Sequence, residues 1–351
     1  MAKAWPVPGL SESDSFRTAA GRVLHTRAAE VMAQRDAVLA GARSRRRTVD
    51  EDSVEAVHDL RVAIRRLRAN FDAFRDVFDP AGYEDRRVRL RDLARILGEV
   101  RDADVMTGML DRRRQSAAER AELAAALDVL RDEALGEASR DRGGRLRAAA
   151  AGALAGAIAD LGDFVAKQTL VTPDDVGLDA PADAPVPPPP AEPRRRARRV
   201  DPDGPVGPAL WALLRRRLRR VRRADEAVPG DPTDPGHGDA LHQLRIAVKR
   251  LRYVGEVAAL VLPGERAEPA GELLDKLADL QDELGEVHDA DVLTELAVSH
   301  RQAGEEAGWL ALADDVAAER ERHRAKAESM LAELRPDRWR PVRRPFRALR
   351  G

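Results

Sequence analysis

The sequence predicts an all-α protein built from two similar antiparallel helical bundles. Apolar residues recur at three- and four-residue spacing through most of the chain, which is the period of an amphipathic helix. No segment keeps the alternation of apolar and polar residues that a half-buried strand requires. Two blocks of sequence return in the second half of the chain in the same order, which indicates a tandem duplication. We therefore expect the two bundles to be related by pseudo-two-fold symmetry.

The repeated blocks are long enough to align without ambiguity. The first, VHDLRVAIRRLR from Val57, returns as LHQLRIAVKRLRY from Leu241, so that His58 matches His242. The second, LGEVRDADV, returns as LGEVHDADV, so that Gly98 matches Gly285. The two blocks align at offsets of 184 and 187 residues, and this small difference makes a chance repeat implausible.

Helical periodicity places four helical regions in the first half. The first block lies on the second region, which ends before Pro80, and the second block lies on the third. The expected regions are residues 15–42, 83–114 and 117–165, the last interrupted near Gly143 and Gly144, together with the helix that carries residues 57–78, which Asp50 or Ser53 can cap.

A change of composition separates the halves. Residues 171–208 are rich in Pro, Ala and Asp and predict a semi-rigid linker that includes the run RRRARR. Helices then resume at residues 209–226, around His242, and from Pro269 onward. The predicted organisation is a disordered N-terminus (1–14), a first bundle (15–170), the linker (171–208), a second bundle (209–336) and a basic tail (337–351).

Each copy of the first block gives its helix an apolar face and a basic face. At about 100° per residue, the cations of each copy fall on one arc of about 80° beside the apolar stripe. A row of cations three and four residues apart suits a linear polyanion, which exchanges its condensed counterions for fixed charges. The basic faces carry His58, Arg61, Arg65 and Arg68 in the first copy and His242, Arg245, Lys249 and Arg252 in the second.

Charge is balanced over the chain but segregated along it. The 351 residues include 60 Lys+Arg and 61 Asp+Glu, for a formal net charge of -1. Twelve arginines and only two aspartates nevertheless lie between Arg194 and Arg223. A neutral average is therefore compatible with a concentrated site for a polyanion.

The composition also excludes several classes of protein. Cysteine is absent, which excludes a disulfide framework and a thiolate metal or redox site. The start, MAKAWPVPGL, lacks the apolar core of a signal peptide, and no apolar run reaches the length that spans a bilayer. We therefore expect a cytoplasmic protein that has no membrane partner.

The two blocks together resemble those of the CHAD family, named for conserved histidines in an α-helical domain. The likeness extends from about Ser15 to the end of the second half, with the proline-rich linker as an insertion. The resemblance implies a two-bundle helical domain that binds inorganic polyphosphate in a central basic groove. It also implies association with polyphosphate granules. The family also occurs fused to a catalytic β-barrel domain, for which this chain has no room, so we expect neither catalysis nor a cofactor.

The resemblance carries a set of phosphate contacts onto matching positions of this chain. Arg66 and Arg250 belong to the matched blocks although they lie off the basic arcs. Arg89 and Lys276 match each other at the offset of 187, and three arginines of the helix before His242 complete the set. The predicted polyphosphate-binding residues are His58, Arg61, Arg65, Arg66, Arg68, His242, Arg245, Lys249, Arg250, Arg252, Arg89, Lys276, Arg215, Arg219 and Arg222.

The roles of the histidines and aspartates are open at this point. His58 and His242 either contact phosphate, with stronger binding in acid, or only position the helices. His288 and Asp289 suggest a metal-dependent hydrolase, but the first half has Arg101 in place of His288, so we predict no metal site. We expect the aspartates of the second block to bridge helices or to pair with arginines of the basic faces.

Two other functions remain as alternatives to polyphosphate binding. A nucleic-acid binder would use the same arginines but would add stacking aromatic residues, and only Tyr253 lies beside a basic face. A polyphosphate-processing enzyme would need a metal or a nucleophile that the sequence does not supply. We therefore expect a non-enzymatic module, with any polyphosphate-metabolising enzyme supplied in trans.

Overall fold

The structure is a computed structural model that describes residues 4–43, 51–117, 119–134, 136, 142, 144–146, 148–177, 200–262, 264–300 and 306–350. Within these ranges the all-α prediction is confirmed, because they form helices and no strand. No helix in the same ranges is both long enough and apolar enough to cross a membrane. The tandem duplication remains a prediction that rests on the two sequence blocks.

The helices of the described ranges follow the predicted order. Short 3₁₀ turns lie at Arg75–Val77, Asp174–Val176 and Pro345–Arg350, and π-helical turns at Leu130–Ala134 and Ala149–Ala153. The α-helices are α1 (Phe16–Arg43), α2 (Glu51–Ala73), α3 (Pro80–Ser116), α4 (Ala121–Val129), α5 (Leu154–Thr169), α6 (Val206–Glu226), α7 (His237–Leu260), α8 (Gly264–His300), α9 (Glu306–Leu334) and α10 (Pro336–Arg343).

Helices α3, α6 and α8 begin earlier than the sequence predicts, and each has a proline near its start. Pro80 is the first residue of α3, and Asp79 caps this helix by accepting the backbone N–H of Gly82 at 2.7 Å. Proline fits there because the first N–H groups of a helix have no acceptor within it. Helix α8 already begins at Gly264, so that Pro269 lies inside its second turn.

The helices of each half pack around a central member. In the first half α2 lies between α1 and α3, and α5 closes the bundle by packing against α1 and α3. In the second half α7 lies between α6 and α8, and the final 3₁₀ turn packs against α6 and α8. Helix α9 returns along α8. The two central helices, α2 and α7, also contact each other and so join the halves.

The hydrophobic interior is continuous between the halves. Leu60 of α2 and Leu244 of α7 are fully buried in the same core. A smaller core lies where the ends of α3 and α8 meet α4 and α9, around Leu110, Leu293 and Trp309. The two predicted bundles therefore pack against each other through apolar side chains from both halves.

The N-terminal segment is attached to the core, which corrects the prediction of disorder for its described residues 4–14. Val7 is buried in the core, and Leu10 packs against it. The backbone carbonyl of Trp5 accepts a hydrogen bond from Nη2 of Arg27 at 2.9 Å. The backbone carbonyl of Asp14 accepts a further hydrogen bond from the N–H of Val206 at 3.1 Å, so apolar contacts and hydrogen bonds together hold a segment that proline and glycine keep irregular.

The C-terminal segment also differs from the predicted basic tail. It forms α10 and the last 3₁₀ turn, and its apolar residues are spaced so that they lie on one side. Trp339, Val342, Phe346 and Leu349 are all buried. Most of the predicted linker, residues 178–199 with the RRRARR run, lies outside the described residues.

A buried network of ion pairs joins α1, α2 and α7. Arg66 of α2 donates to Glu30 of α1 at 2.8 Å and to Glu256 of α7 at 3.1 Å. Arg27 also donates to Glu30, at 2.8 Å, and Arg252 donates to Glu256 at 2.6 Å. The side chains of Arg66 and Glu30 are only 2% and 3% exposed. Because charges buried this deeply must be paired, the network fixes α2 against α7.

We expect Arg66→Ala to lower the free energy of unfolding by about 3 to 5 kcal/mol, because two buried carboxylates lose a cation. Urea unfolding followed by circular dichroism measures this change. Arg89→Ala is the matched control, since Arg89 belongs to an exposed ion pair whose loss costs less than about 1 kcal/mol. Equal losses in the two variants would contradict the role of the network.

Candidate functional site

Helices α2 and α7 bring the two basic faces together. Arg61 and Arg65 of α2 lie close enough to Arg245 and Lys249 of α7 for their charges to repel one another. These four residues come from matching positions of the two copies of the first block. We call them the central cluster.

Lys249 is strongly perturbed in this cluster. Burial, and then the repulsion of Arg65 and Arg245, lowers the pKa of Lys249 to about 7. No carboxylate of the described residues lies within ion-pair distance of its Nζ atom. Lys249 therefore loses its proton far more readily than an ordinary lysine, which is fully charged at pH 7.

The arginines of the central cluster are only partly compensated. The Nε atoms of Arg65 and Arg245 are buried and have no hydrogen-bond partner among the described residues. Arg61 donates to Asp102 at 2.9 Å, yet burial lowers the pKa of Arg61. Burial also lowers the pKa of Arg245, although Asp289 opposes this shift. The cluster thus holds desolvated cations in excess over its anions.

A histidine lies near the N-terminal end of each basic face. Burial, followed by the repulsion of Arg101, lowers the pKa of His58 to about 4. The ring of His242 lies 4.3 Å from that of His288, and burial and this neighbour lower the pKa of His242. Both histidines are therefore neutral at pH 7. Arg101 and His288 match in the second block, so each half places a basic side chain beside its histidine.

Further arginines extend the basic surface beyond the central cluster. Burial lowers the pKa of Arg68, and Arg250 adds to this effect. Burial, and then Arg220 and Arg250, lower the pKa of Arg217 to about 10. The carboxylate of Asp72 partly compensates both Arg68 and Arg217. We call Arg68, Arg217 and Arg250 the outer cluster.

The sequence analysis missed two of these cations. Arg217 lies on the same face of α6 as the buried Leu213 and Leu214. An arginine on an otherwise apolar helix face was the feature of the sequence that could have predicted a buried cation here. Arg101 was noticed only as the counterpart of His288. Arg101 lies beside His58 because of the way α2 packs against α3. The spacing of residues along a single helix cannot predict this packing.

Two predicted phosphate contacts, Arg66 and Arg252, are corrected by the structure. Both are buried, and both donate to Glu256 in the network described above. Matching positions therefore differ in environment, because their counterparts Arg250 and Arg68 lie in the outer cluster. The physical reason is that Glu256 of α7 takes one arginine from each central helix.

Arg89 and Lys276 also lie outside the basic surface, which corrects their assignment. Arg89 is exposed, faces α5 and pairs with Asp85 at 3.0 Å. Lys276 is exposed, faces α9 and pairs with Glu333 at 3.2 Å. A carboxylate on the outer side of the bundle compensates the charge of each cation. Neither cation therefore adds to the positive charge between α2 and α7.

The three arginines predicted on α6 lie on the wrong side of that helix for the central cluster. Arg215, Arg219 and Arg222 share an arc of about 60°, which is roughly opposite to Arg217. They line a cavity beside the C-terminal segment. Their assignment as contacts of the same polyphosphate chain is therefore corrected as well.

Two glycines of the second repeated block leave space for arginines of the basic faces. A Cβ atom at Gly98 would lie 4.0 Å from Nη2 of Arg61, and one at Gly285 would lie 3.8 Å from Nη2 of Arg245. A longer side chain at either glycine would occupy the space of the guanidinium. The glycines thus allow Arg61 and Arg245 to lie close against α3 and α8.

The aspartates of the second block behave as the sequence analysis expects. Asp102 accepts from Arg61 of the basic face. Asp104 bridges to Arg142 at 2.7 Å, and Asp291 bridges to Arg320 on α9 at 2.5 Å. The two matching residues, Asp104 and Asp291, therefore each tie the block to a later segment of its own half.

One group of side chains has metal-ligand geometry, although the sequence predicts no metal site. Glu286, Glu319 and His323 place candidate ligand atoms within 4.8 Å of one another. The packing of α8 against α9 creates this group, so sequence spacing did not reveal it. Glu319 already pairs with Arg113, and His323 with Glu283 at 2.8 Å. These protein partners satisfy two of the three residues without an ion.

The fold and the sequence both match known CHAD proteins. The family model of the CHAD domain matches residues 29–298. The chain is similar to the crystal structure of the CHAD domain from the plant Ricinus communis, with a TM-score of 0.57, 20% identity, and coverage of 99% of this chain and 96% of that one. It is also similar to PptA from Streptomyces chartreusis, with a TM-score of 0.57, 19% identity, and coverage of 91% and 100%. These likenesses show the fold. No curated protein matches the sequence significantly.

We expect Lys249→Met to stabilise the protein at pH 6 by about 1 to 2 kcal/mol after allowance for solvent screening. The folded-state pKa of Lys249 lies below that of an unfolded lysine, so the unfolded chain binds more protons between about pH 7 and 10. The cost of burying the charge is therefore fully present below pH 7 and fades as the pH rises through this window. The gain in the variant should shrink accordingly.

Thermal unfolding across a pH series measures this dependence. Lys276→Met is the matched control, because Lys276 is exposed and paired with Glu333. The interpretation fails if Lys249→Met is less stable than the wild type at pH 6, or if both lysine variants show the same pH dependence.

Proposed function

Because the chain belongs to the CHAD family, which is associated with polyphosphate binding, we propose that it binds inorganic polyphosphate. The bound chain would run along the central cluster and the outer cluster, in a basic groove between α2 and α7. The proposed activity is binding alone, with no chemical step and no cofactor.

The burial of Lys249 among arginines, without a carboxylate of the described residues at ion-pair distance, is the observation that carries the proposal. Burial and four arginines, Arg65, Arg245, Arg61 and Arg252, all act against the charged form of this lysine. A nearby polyanion would reverse each of these effects by replacing lost water contacts and by screening the repulsion. Binding would therefore draw a proton onto Lys249 at neutral and mildly alkaline pH.

The length of the basic surface favours a linear polyanion over a single phosphate. His58 and Arg68 lie ten residues apart on α2, which is about 15 Å along the helix axis. One phosphate ion can contact only part of such a row. A polyphosphate chain can follow it, and each arginine can bind two phosphate oxygens with its planar guanidinium group.

We propose that the histidines bind as neutral donors at pH 7. His58 has a pKa of about 4, so it gains a proton only in acid unless a bound anion raises this value. The Nδ1 atom of His242 is buried and has no partner among the described residues, so no protein group in this part of the chain competes with a ligand for it. Because bound phosphate favours the protonated rings, affinity should rise as the pH falls below about 6.

The environment of Tyr253 favours polyphosphate over a nucleic acid. Tyr253 is the aromatic residue beside the second basic face, and it is 2% exposed. Its ring lies 4.8 Å from the guanidinium of Arg252. A nucleobase has no access to this ring, whereas single-strand binders stack bases on exposed aromatic side chains.

We propose that any enzyme acting on the bound chain is a separate protein. Under this proposal the protein brings polyphosphate-metabolising enzymes to polyphosphate, in the cytoplasm and at polyphosphate granules. The group of Glu286, Glu319 and His323 gives the enzymatic alternative a test. Release of phosphate from polyphosphate with added divalent metal, abolished by Glu286→Gln, would establish that alternative instead.

We expect the quadruple variant Arg61→Ala/Arg65→Ala/Arg245→Ala/Lys249→Ala to bind long-chain polyphosphate at least a hundredfold more weakly than the wild type. Each lost cation removes about one released counterion, so the slope of log affinity against log salt should fall by about four. Fluorescence anisotropy with labelled polyphosphate, in a salt series with DNA as competitor, measures both quantities.

A control variant removes the same charge from paired surface positions: Arg89→Ala/Arg95→Ala/Arg114→Ala/Lys276→Ala. It should keep most of the affinity. If the control loses as much affinity as the quadruple variant, binding depends on the net charge of the protein and not on the central cluster. Displacement of polyphosphate by equimolar DNA would instead support the nucleic-acid function.

A further inference from the structure

The C-terminal segment presents a second set of arginines. Its four buried residues, described above, hold α10 and the last 3₁₀ turn against α6 and α8. Arg343 and Arg347 lie between these anchors along the chain, and Arg350 directly follows the last one. The anchored backbone therefore holds three guanidinium groups in place opposite α6.

A cavity of about 620 Å³ lies between this segment and α6. Its walls carry six arginines together with Trp211 and Leu218, and no acidic residue. Three of the arginines, Arg215, Arg219 and Arg222, come from a single arc of α6. The volume falls in the usual range of small-molecule sites. We call it the arginine cavity.

The cations of the arginine cavity lack nearby counter-charges. Arg222 lies 3.9 Å from Glu226, at the limit of an ion pair. Nη2 of Arg343 donates to the backbone carbonyl of Asp337 at 3.5 Å, while its Nε is buried without a partner among the described residues. The other four arginines have neither an ion pair nor a side-chain hydrogen bond within the same residues.

This cavity is separate from the proposed polyphosphate groove. Arg217 lies on the side of α6 that faces Arg250 and the outer cluster. Arg219 lies on roughly the opposite side, toward Arg347. The body of α6 thus stands between the two basic regions, and a ligand in the cavity touches neither central helix.

We propose that the arginine cavity is a second anion site, which binds a compact oligophosphate group. The proposal does not rest on polyphosphate binding between α2 and α7. Six guanidinium groups around one half-open cavity repel one another, and several negative charges on one small ligand relieve this repulsion. Arginine forks also match the paired oxygens of phosphate groups.

Two sources could supply this group. Inorganic triphosphate offers the phosphates alone, whereas a nucleoside triphosphate adds a base and a sugar. Trp211 lies in the wall, where it can contact a base and where it reports on binding by fluorescence. The experiment therefore uses inorganic triphosphate and metal-free ATP as separate probes.

We expect both the wild type and the central-cluster quadruple variant to bind inorganic triphosphate, with a change in Trp211 emission. Adding Arg219→Ala/Arg347→Ala should weaken binding at least tenfold, because each substitution removes a charge-assisted hydrogen bond. Calorimetry gives the affinity, and Trp211→Phe identifies the source of the fluorescence change. Arg223→Ala/Arg344→Ala is the matched control, since it removes two exposed arginines of the same elements that do not line the cavity.

The outcomes separate this site from the first one. Tighter binding of ATP than of inorganic triphosphate assigns the site to a nucleotide, and the reverse assigns it to free oligophosphate. The proposal is overturned if neither probe binds, if Arg219→Ala/Arg347→Ala has no more effect than the control, or if the central-cluster variant alone abolishes binding. Retained triphosphate binding with lost polyphosphate binding in that variant would confirm two independent sites.

Discussion

The contact between α2 and α7 determines which charges of this protein are compensated. Glu256 accepts one buried arginine from each helix, Arg66 and Arg252, and this shared acceptor fixes how the helices meet. Two turns earlier on α7, the same contact brings Lys249 toward Arg65 without a carboxylate between them. Packing therefore neutralises one group of cations and leaves the next group, on the same helices, only partly compensated.

The uncompensated cations lower the stability of the folded protein. Cations that repel one another in a partly buried setting oppose folding, and the apolar core shared by the halves must outweigh them. Asp102 and Asp289 offset part of the repulsion, and Gly98 and Gly285 leave room for the arginines above them. A bound polyanion would remove the remaining cost, so ligand binding and folding should reinforce each other.

Periodicity and the repeated blocks were sufficient to predict the all-α fold, the order of the helices and the family. The same reasoning placed Arg61, Arg65, Arg245 and Lys249 together, because the basic arc of each copy adjoins its apolar stripe. It failed for Arg252, which lies on the predicted arc, because burial beside Glu256 depends on the crossing of two helices distant in sequence. It also missed the anchored C-terminal segment, since prolines and arginines there conceal an apolar face of only four residues.

The pKa of Lys249, measured by NMR on a protein labelled at the lysine side chains, tests the central claim most directly. Without ligand, the account predicts a value near 7, far below that of the exposed Lys276. Saturation with polyphosphate should raise the Lys249 value by at least two units and leave Lys276 almost unchanged. A value near 10.5 in the free protein, or one that polyphosphate does not raise, would contradict the claim that an uncompensated cluster between α2 and α7 is the binding site.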